Sequence, residues 1–159
     1  MANRILVSVQ EDIAEPQWIS EVESFLNLVM QKLNFDNEEI SVMFVNNSFI
    51  KELNRDYRNI DAPTDVLSFE ADEEYEDDEG RWKSKGDIVI SIEMIDENAE
   101  YFKITSNDEL KRLLVHGLLH LNGMDHGEEH IESSKSPQCE MLVIQEKLLA
   151  ELKNEVLIK

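Results

Sequence analysis

Three of the four histidines in this chain are spaced as metal ligands would be on a helix and the turn that ends it. They lie in the run His116-Gly117-Leu118-Leu119-His120-Leu121-Asn122-Gly123-Met124-Asp125-His126, which reads H-x3-H-x5-H. Histidines four apart share one helix face, about 6 Å apart along the axis, so both imidazoles can aim at one ion. Gly123 follows His120 by three residues, where a left-handed glycine ends a helix. The chain then reverses and returns His126 as a third ligand. Three neutral nitrogens leave a fourth position for water, as in a catalytic rather than a structural zinc site.

The spacing equals that of the metzincin proteases, H-E-x-x-H-x-x-G-x-x-H, except that Gly117 stands where those enzymes carry their glutamate base. Glycine inside a helix costs about 0.5–1 kcal/mol relative to alanine. Close approach of a backbone or a substrate is one reason to keep it. His130, in Gly127-Glu128-Glu129-His130, reads as a solvated loop residue among carboxylates. Asp125 is a candidate acceptor for the second N–H of a ligating histidine, a proton-transfer group or a turn residue.

The elements that must position these groups follow from hydrophobic periodicity. Arg4–Val9 and Ile40–Val45 read as strands. Between them Pro16 opens a helix near residues 17–33, with Trp18, Val22, Phe25, Leu26, Val29 and Leu33 as its apolar stripe. Asn46 or Asn47 can cap a short helix reaching Tyr57. Strands are expected at 64–69 and 87–92, and a helix near 93–101. Residues 70–79 hold eight carboxylates and read as a solvated hairpin loop between those strands. Ser106-Asn107-Asp108-Glu109 is a capping box that starts the metal helix, and Leu110, Leu113, Leu114, Leu118 and Leu121 anchor it. Ser136-Pro137 starts a last helix, with Met141, Leu142, Ile144, Leu148 and Leu152 inward. The pattern is one α+β domain over residues 1–159, a mixed β-sheet packed with helices.

Composition narrows the function. The 159 residues suit one domain with a real core, and no run of 18 apolar residues offers a membrane span. The N-terminal apolar stretch is too short for a signal peptide. The single cysteine, Cys139, forms no internal disulfide and fits a reducing cytoplasm. A net charge of −20 opposes indiscriminate binding to nucleic acid. Nine of the fifteen Lys and Arg residues fall between Lys51 and Arg112, which leaves room for a local basic patch near the metal.

Two further segments, Leu53–Phe69 with Asn54-Arg55-Asp56-Tyr57-Arg58 near its start, and Gly86-Asp87-Ile88, precede the histidine motif. The three together, in this order, resemble the bacterial YbeY family of endoribonucleases and rRNA maturation factors, across roughly residues 40–150. The acidic 70–83 stretch is the least typical part. The resemblance implies a zincin-like mixed-sheet fold, with a divalent metal, usually zinc, on His116, His120 and His126. It implies a functionally required arginine, which maps to Arg58. It also implies single-strand-specific RNA cleavage, maturation of the 16S rRNA 3′ end and ribosome quality control. The partners implied are an RNA precursor and the ribosome or its proteins, with no membrane and no DNA.

A zinc on three neutral histidines lowers the pKa of bound water toward ~7 and polarises a phosphoryl oxygen. Arg58 is the candidate for stabilising charge on the non-bridging oxygens; pairing with Asp56 or Asp61 is its structural alternative. Attack by water and attack by the RNA 2′-OH both remain open, and only the second leaves a 2′,3′-cyclic phosphate. Asp65 and Ser68 either position substrate or make hydrogen bonds at the core edge. The histidines also suit nickel, copper or iron; zinc is chosen from the open site and the resemblance, one ion per chain. A metalloprotease with another base, and a non-enzymatic ribosome-assembly factor docking through its acidic surface, are the rival functions.

Overall fold

The computed structural model describes residues 3–123 and 140–158. Strand β1 (Arg4–Val9) leads through helix α1 (Ile19–Lys32) to β2 (Glu38–Val45). Helix α2 (Asn47–Arg58) follows, then the hairpin of β3 (Val66–Asp77) and β4 (Gly80–Ser91). Helices α3 (Ile92–Phe102), α4 (Ser106–Leu121) and α5 (Glu140–Glu151) complete the described residues. The sheet order is β1-β2-β4-β3. β1, β2 and β4 are parallel, and β3 runs antiparallel along the edge. This is the expected α+β fold with a mixed sheet.

Alternation along the strands divides the core into two faces. Ile40, Val42 and Phe44 of β2 and Ile88 and Ile90 of β4 pack with α1, α4 and α5. Val45, Leu67 and Val89 pack the other way, against Ile50, Phe49 and Leu53 of α2. The five leucines expected to anchor the metal helix are all buried. So α4 lies on the large core face and α2 on the opposite one.

Three local expectations are corrected. Residues 70–77 are not a loop: they continue β3, and only Asp78 and Glu79 turn. Charge pairing across the hairpin explains this, because Glu74 faces Lys83 and Glu76 faces Arg81. A register shift between Glu70 and Glu73 absorbs one extra residue as a bulge. Arg4 then reaches across from β1. It binds Asp77 at 2.6 Å and Glu79 at 2.5 Å, with its guanidinium 4.0 Å from the Trp82 ring centroid.

The cap of α4 is Thr105, one residue earlier than the capping box placed it, and its hydroxyl accepts from the Asp108 N–H at 3.0 Å. Ser106 instead donates to Asp96 at 2.5 Å. Glu109 does not reach back to the cap, because it is buried and holds Arg112 through two 2.7 Å bonds.

The third correction is Gly117. The close neighbour among the described residues is a side chain, not a backbone. A Cβ there would lie 2.8 Å from Cγ2 of Ile88, so the glycine lets the metal helix settle directly on β4. A glutamate at this position would force the same clash, so the core packing itself leaves no room for a protease-type base. The start of the last helix, with Ser136, Pro137 and Cys139, lies outside the described residues.

Candidate metal centre

His116 and His120 sit on the last two turns of α4, both half-buried. Their Nε2 atoms converge to 3.1 Å, with ring planes 69° apart. Two nitrogens at 2.0–2.1 Å from a tetrahedral zinc would be about 3.3 Å apart. The pair therefore fits a zinc-sized ion with little adjustment. Helix spacing alone brought the rings to one face; the tilt of His116 is set from α5.

Gln145 makes that setting. It is fully buried, and its Oε1 lies 2.8 Å from Nδ1 of His116. An amide oxygen only accepts, so His116 must carry its proton on Nδ1. Nε2 then presents its lone pair toward His120, as a ligating nitrogen must. Asp125, a sequence candidate for such support, lies outside the described residues; among those described, the support comes from α5. The sequence did hold a signal. Gln145 falls in line with Met141, Leu148 and Leu152, a polar side chain on an apolar stripe.

Gly123 ends α4 as expected: its φ is +81° and its N–H donates to the His120 carbonyl at 3.1 Å. His126, Asp125 and His130 lie outside the described residues. Among the described residues no cluster of three or more His, Cys, Asp or Glu completes a metal site.

Arg58 is the last residue of α2 and is exposed. Its structural alternative does not hold, since Asp56 pairs with Arg55 at 3.4 Å and Asp61 with Lys51 at 3.9 Å. The chain leaves the helix through Asn59 in a left-handed conformation. The buried Asn54 fastens the next loop by donating to the Ala62 carbonyl at 2.9 Å. Tyr57 rests edge-on against Phe69, ring centroids 5.2 Å apart, so this end of α2 is held to β3. Ser68, beside Phe69, donates to the Gly117 carbonyl at 3.5 Å and ties β3 to the metal helix. β3 thus touches both the helix carrying the histidines and the helix carrying Arg58. Sequence reasoning missed the Tyr57–Phe69 contact because its partners are twelve residues apart in different elements.

Asp65 is engaged structurally. It accepts from its neighbour Val66 N–H at 2.8 Å and from Asn98 at 3.0 Å. Several cations between Lys51 and Arg112 are engaged elsewhere. Arg81 and Lys83 face carboxylates in the hairpin, and Lys111 donates to the carbonyls of Leu152 and Glu155.

A half-buried histidine pair on a helix, the first ring held by a buried amide and the helix tied to an antiparallel edge strand, gives this α+β domain a candidate metal centre. The family described as Endoribonuclease YbeY matches residues 5–153. The endoribonuclease YbeY of Treponema denticola is 48% identical over 155 residues, covering 97% of this chain and 96% of its own length. That of Aquifex aeolicus is 36% identical, covering 89% of this chain and 90% of its own length. The solution structure of TM1509 from Thermotoga maritima matches with a TM-score of 0.59 and 28% identity, over 94% of this chain and 91% of that one. The chain belongs to the YbeY endoribonuclease family.

Proposed function

We propose that this protein is a zinc-dependent endoribonuclease for single-stranded RNA. It acts on the 16S rRNA precursor in maturing the 3′ end, and in ribosome quality control, in the cytoplasm. The reading rests on one observation above the rest: the converging Nε2 atoms of His116 and His120, with Gln145 holding the first in its ligating tautomer. The metal helix against an antiparallel edge strand is read as zincin-like. His116, His120 and His126 would hold one ion. When bound, such an ion supplies Lewis acidity toward a phosphoryl oxygen and lowers the pKa of a bound water.

The protein's own residues do the remaining work. Arg58, exposed and held toward β3 through Tyr57, presents a planar fork that matches two phosphate oxygens, where negative charge builds during cleavage. Gly117 removes a general base from the metal helix, so the proton of the attacking oxygen leaves by another route. The protease reading loses its base at the same position.

The test is cleavage of a single-stranded RNA by metal-quantified protein, beside His120→Ala and Arg58→Ala prepared identically. Loss of one metal per chain with activity in His120→Ala is expected. Arg58→Ala should keep its metal and lose roughly 100-fold or more in kcat/KM, as removal of a charge-stabilising donor does elsewhere. Equal cleavage by all three preparations would mean a contaminant. Absence of cleavage from all three would move the assembly-factor role ahead.

A further inference from the structure

Beside the metal helix lies a cavity of about 680 Å³ that the metal site does not use. Arg112 lines it one helical turn before His116, about 6 Å along the axis. Glu146 lines it from α5, next in sequence to Gln145. Phe102, Ile104 and Leu149 supply apolar wall. Arg112, His116 and His120 are spaced by four residues, so the cavity lies along the same face of α4 as the candidate metal centre.

Its charges do not suit a phosphate. Asp65, Asp108 and Glu146 all line it. Lys111 is engaged with the carbonyls of Leu152 and Glu155 at 2.8 and 3.0 Å. Arg112 is held in both directions, by Glu109 and, at 3.6 Å, by Asp65. With Arg112 set against Asp65 and Lys111 on backbone carbonyls, Lys153 is left as one exposed ammonium beside the carboxylates of Asp108 and Glu146.

A neutral planar ring meets a different surface. The Arg112 guanidinium lies over the Phe102 ring, 5.6 Å from its centroid. Phe102 is 48% exposed, and Tyr101, edge-on to it at 5.1 Å, is 81% exposed. Ile104 beside them is also exposed. Phe102 and Ile104 line the cavity and Tyr101 adjoins Phe102; such a grouped exposed patch suits a ligand, where scattered single residues need no explanation. Proteins that hold single-stranded RNA stack bases on aromatic rings and guanidinium planes, and the volume is ample for a base.

We infer that this cavity is a nucleobase subsite. It takes the base of a nucleotide flanking the cleaved bond, stacked on Phe102 and Arg112, while the phosphates stay outside its carboxylates. The inference rests on the ribonuclease reading above and adds where its RNA is gripped.

Fluorescein-labelled 2′-O-methyl RNA octamers, one intact and the others each lacking one base, would be titrated into the metal-loaded protein by anisotropy. One abasic position should weaken binding about 5- to 100-fold, the range of a base–aromatic stack. Phe102→Ala and Phe102→Leu should weaken the intact octamer by a similar factor and bind that abasic octamer as the parent does. Phe102 is half exposed, so both variants are expected to fold, and circular dichroism checks this. Unchanged binding of the intact octamer by either variant, losses that multiply, or no binding by the parent would each overturn the subsite. So would lost rRNA processing in cells with RNA affinity intact, because the patch would then serve a protein partner. Cleavage of unmodified RNA is read separately: its absence with stacking intact defeats the ribonuclease reading alone.

Discussion

An imidazole can bind metal through either nitrogen, and the choice at His116 is made by a residue on another helix. The buried amide of Gln145 accepts the Nδ1 proton, which leaves Nε2 to face His120. Gln145→Leu keeps the side-chain volume and removes the acceptor. Metal affinity should fall about 10- to 100-fold, as loss of such supporting partners does in other sites. Competition with a chromophoric chelator measures it; unchanged affinity would mean that Gln145 only fills space. Gly117 is the second decisive residue. In Gly117→Ala the added Cβ meets Ile88, which is fully buried and β-branched, so it has little freedom to yield. Overpacking of about 1–3 kcal/mol outweighs the gain of about 0.5–1 kcal/mol in helix propensity. Denaturant unfolding should show a net loss of roughly 1–2 kcal/mol, and an unchanged midpoint would show that Ile88 can move.

At the scale of elements, the acidic hairpin is held as strand by its partners rather than by its own preference. Arg4 joins the first strand to the hairpin tip through Asp77, Glu79 and Trp82. Its hydrogen bond holds the Asp77 carboxyl below the usual range. A lowered folded pKa means that this tether is intact above the ordinary aspartate value near 4 and is lost as pH falls through the lower folded value. Hydrogen exchange at neutral pH should show the amides of residues 74–83 less protected in Arg4→Ala, with α4 unaffected. In the parent protein the same amides should lose protection only in strong acid. Equal protection in both proteins would mean that cross-strand pairing alone suffices.

For the whole molecule, the net charge of −20 sets how RNA arrives. With 35 acidic against 15 basic residues, the long-range field is repulsive to a polyanion. Raising ionic strength from about 10 to 100 mM shortens the Debye length from about 30 to 10 Å and screens that repulsion. The kcat/KM for single-stranded RNA should therefore rise over this interval before phosphate contacts weaken. A steady fall from the lowest salt would mean that local cations such as Arg58 dominate the encounter. Among the described residues no helix is long and apolar enough to cross a membrane.

Periodicity and capping made most elements readable from sequence, because they depend on neighbours within a few residues. β1 was legible to the residue, α2 through its Asn46 cap, and α4 through its leucine stripe and the terminating Gly123. The His116–His120 pair was legible for the same reason, as two residues on one helix face. The strand character of residues 70–77 was hidden because its stabilising partners, Arg4, Arg81 and Lys83, lie elsewhere in the chain. The reason for Gly117 was hidden because it is the shape of Ile88, 29 positions earlier. Gln145 could be seen as a misplaced polar residue but not assigned, since its hydrogen bond spans two helices. Local sequence thus determined which side chains could hold a metal, and tertiary packing decided how they are aimed.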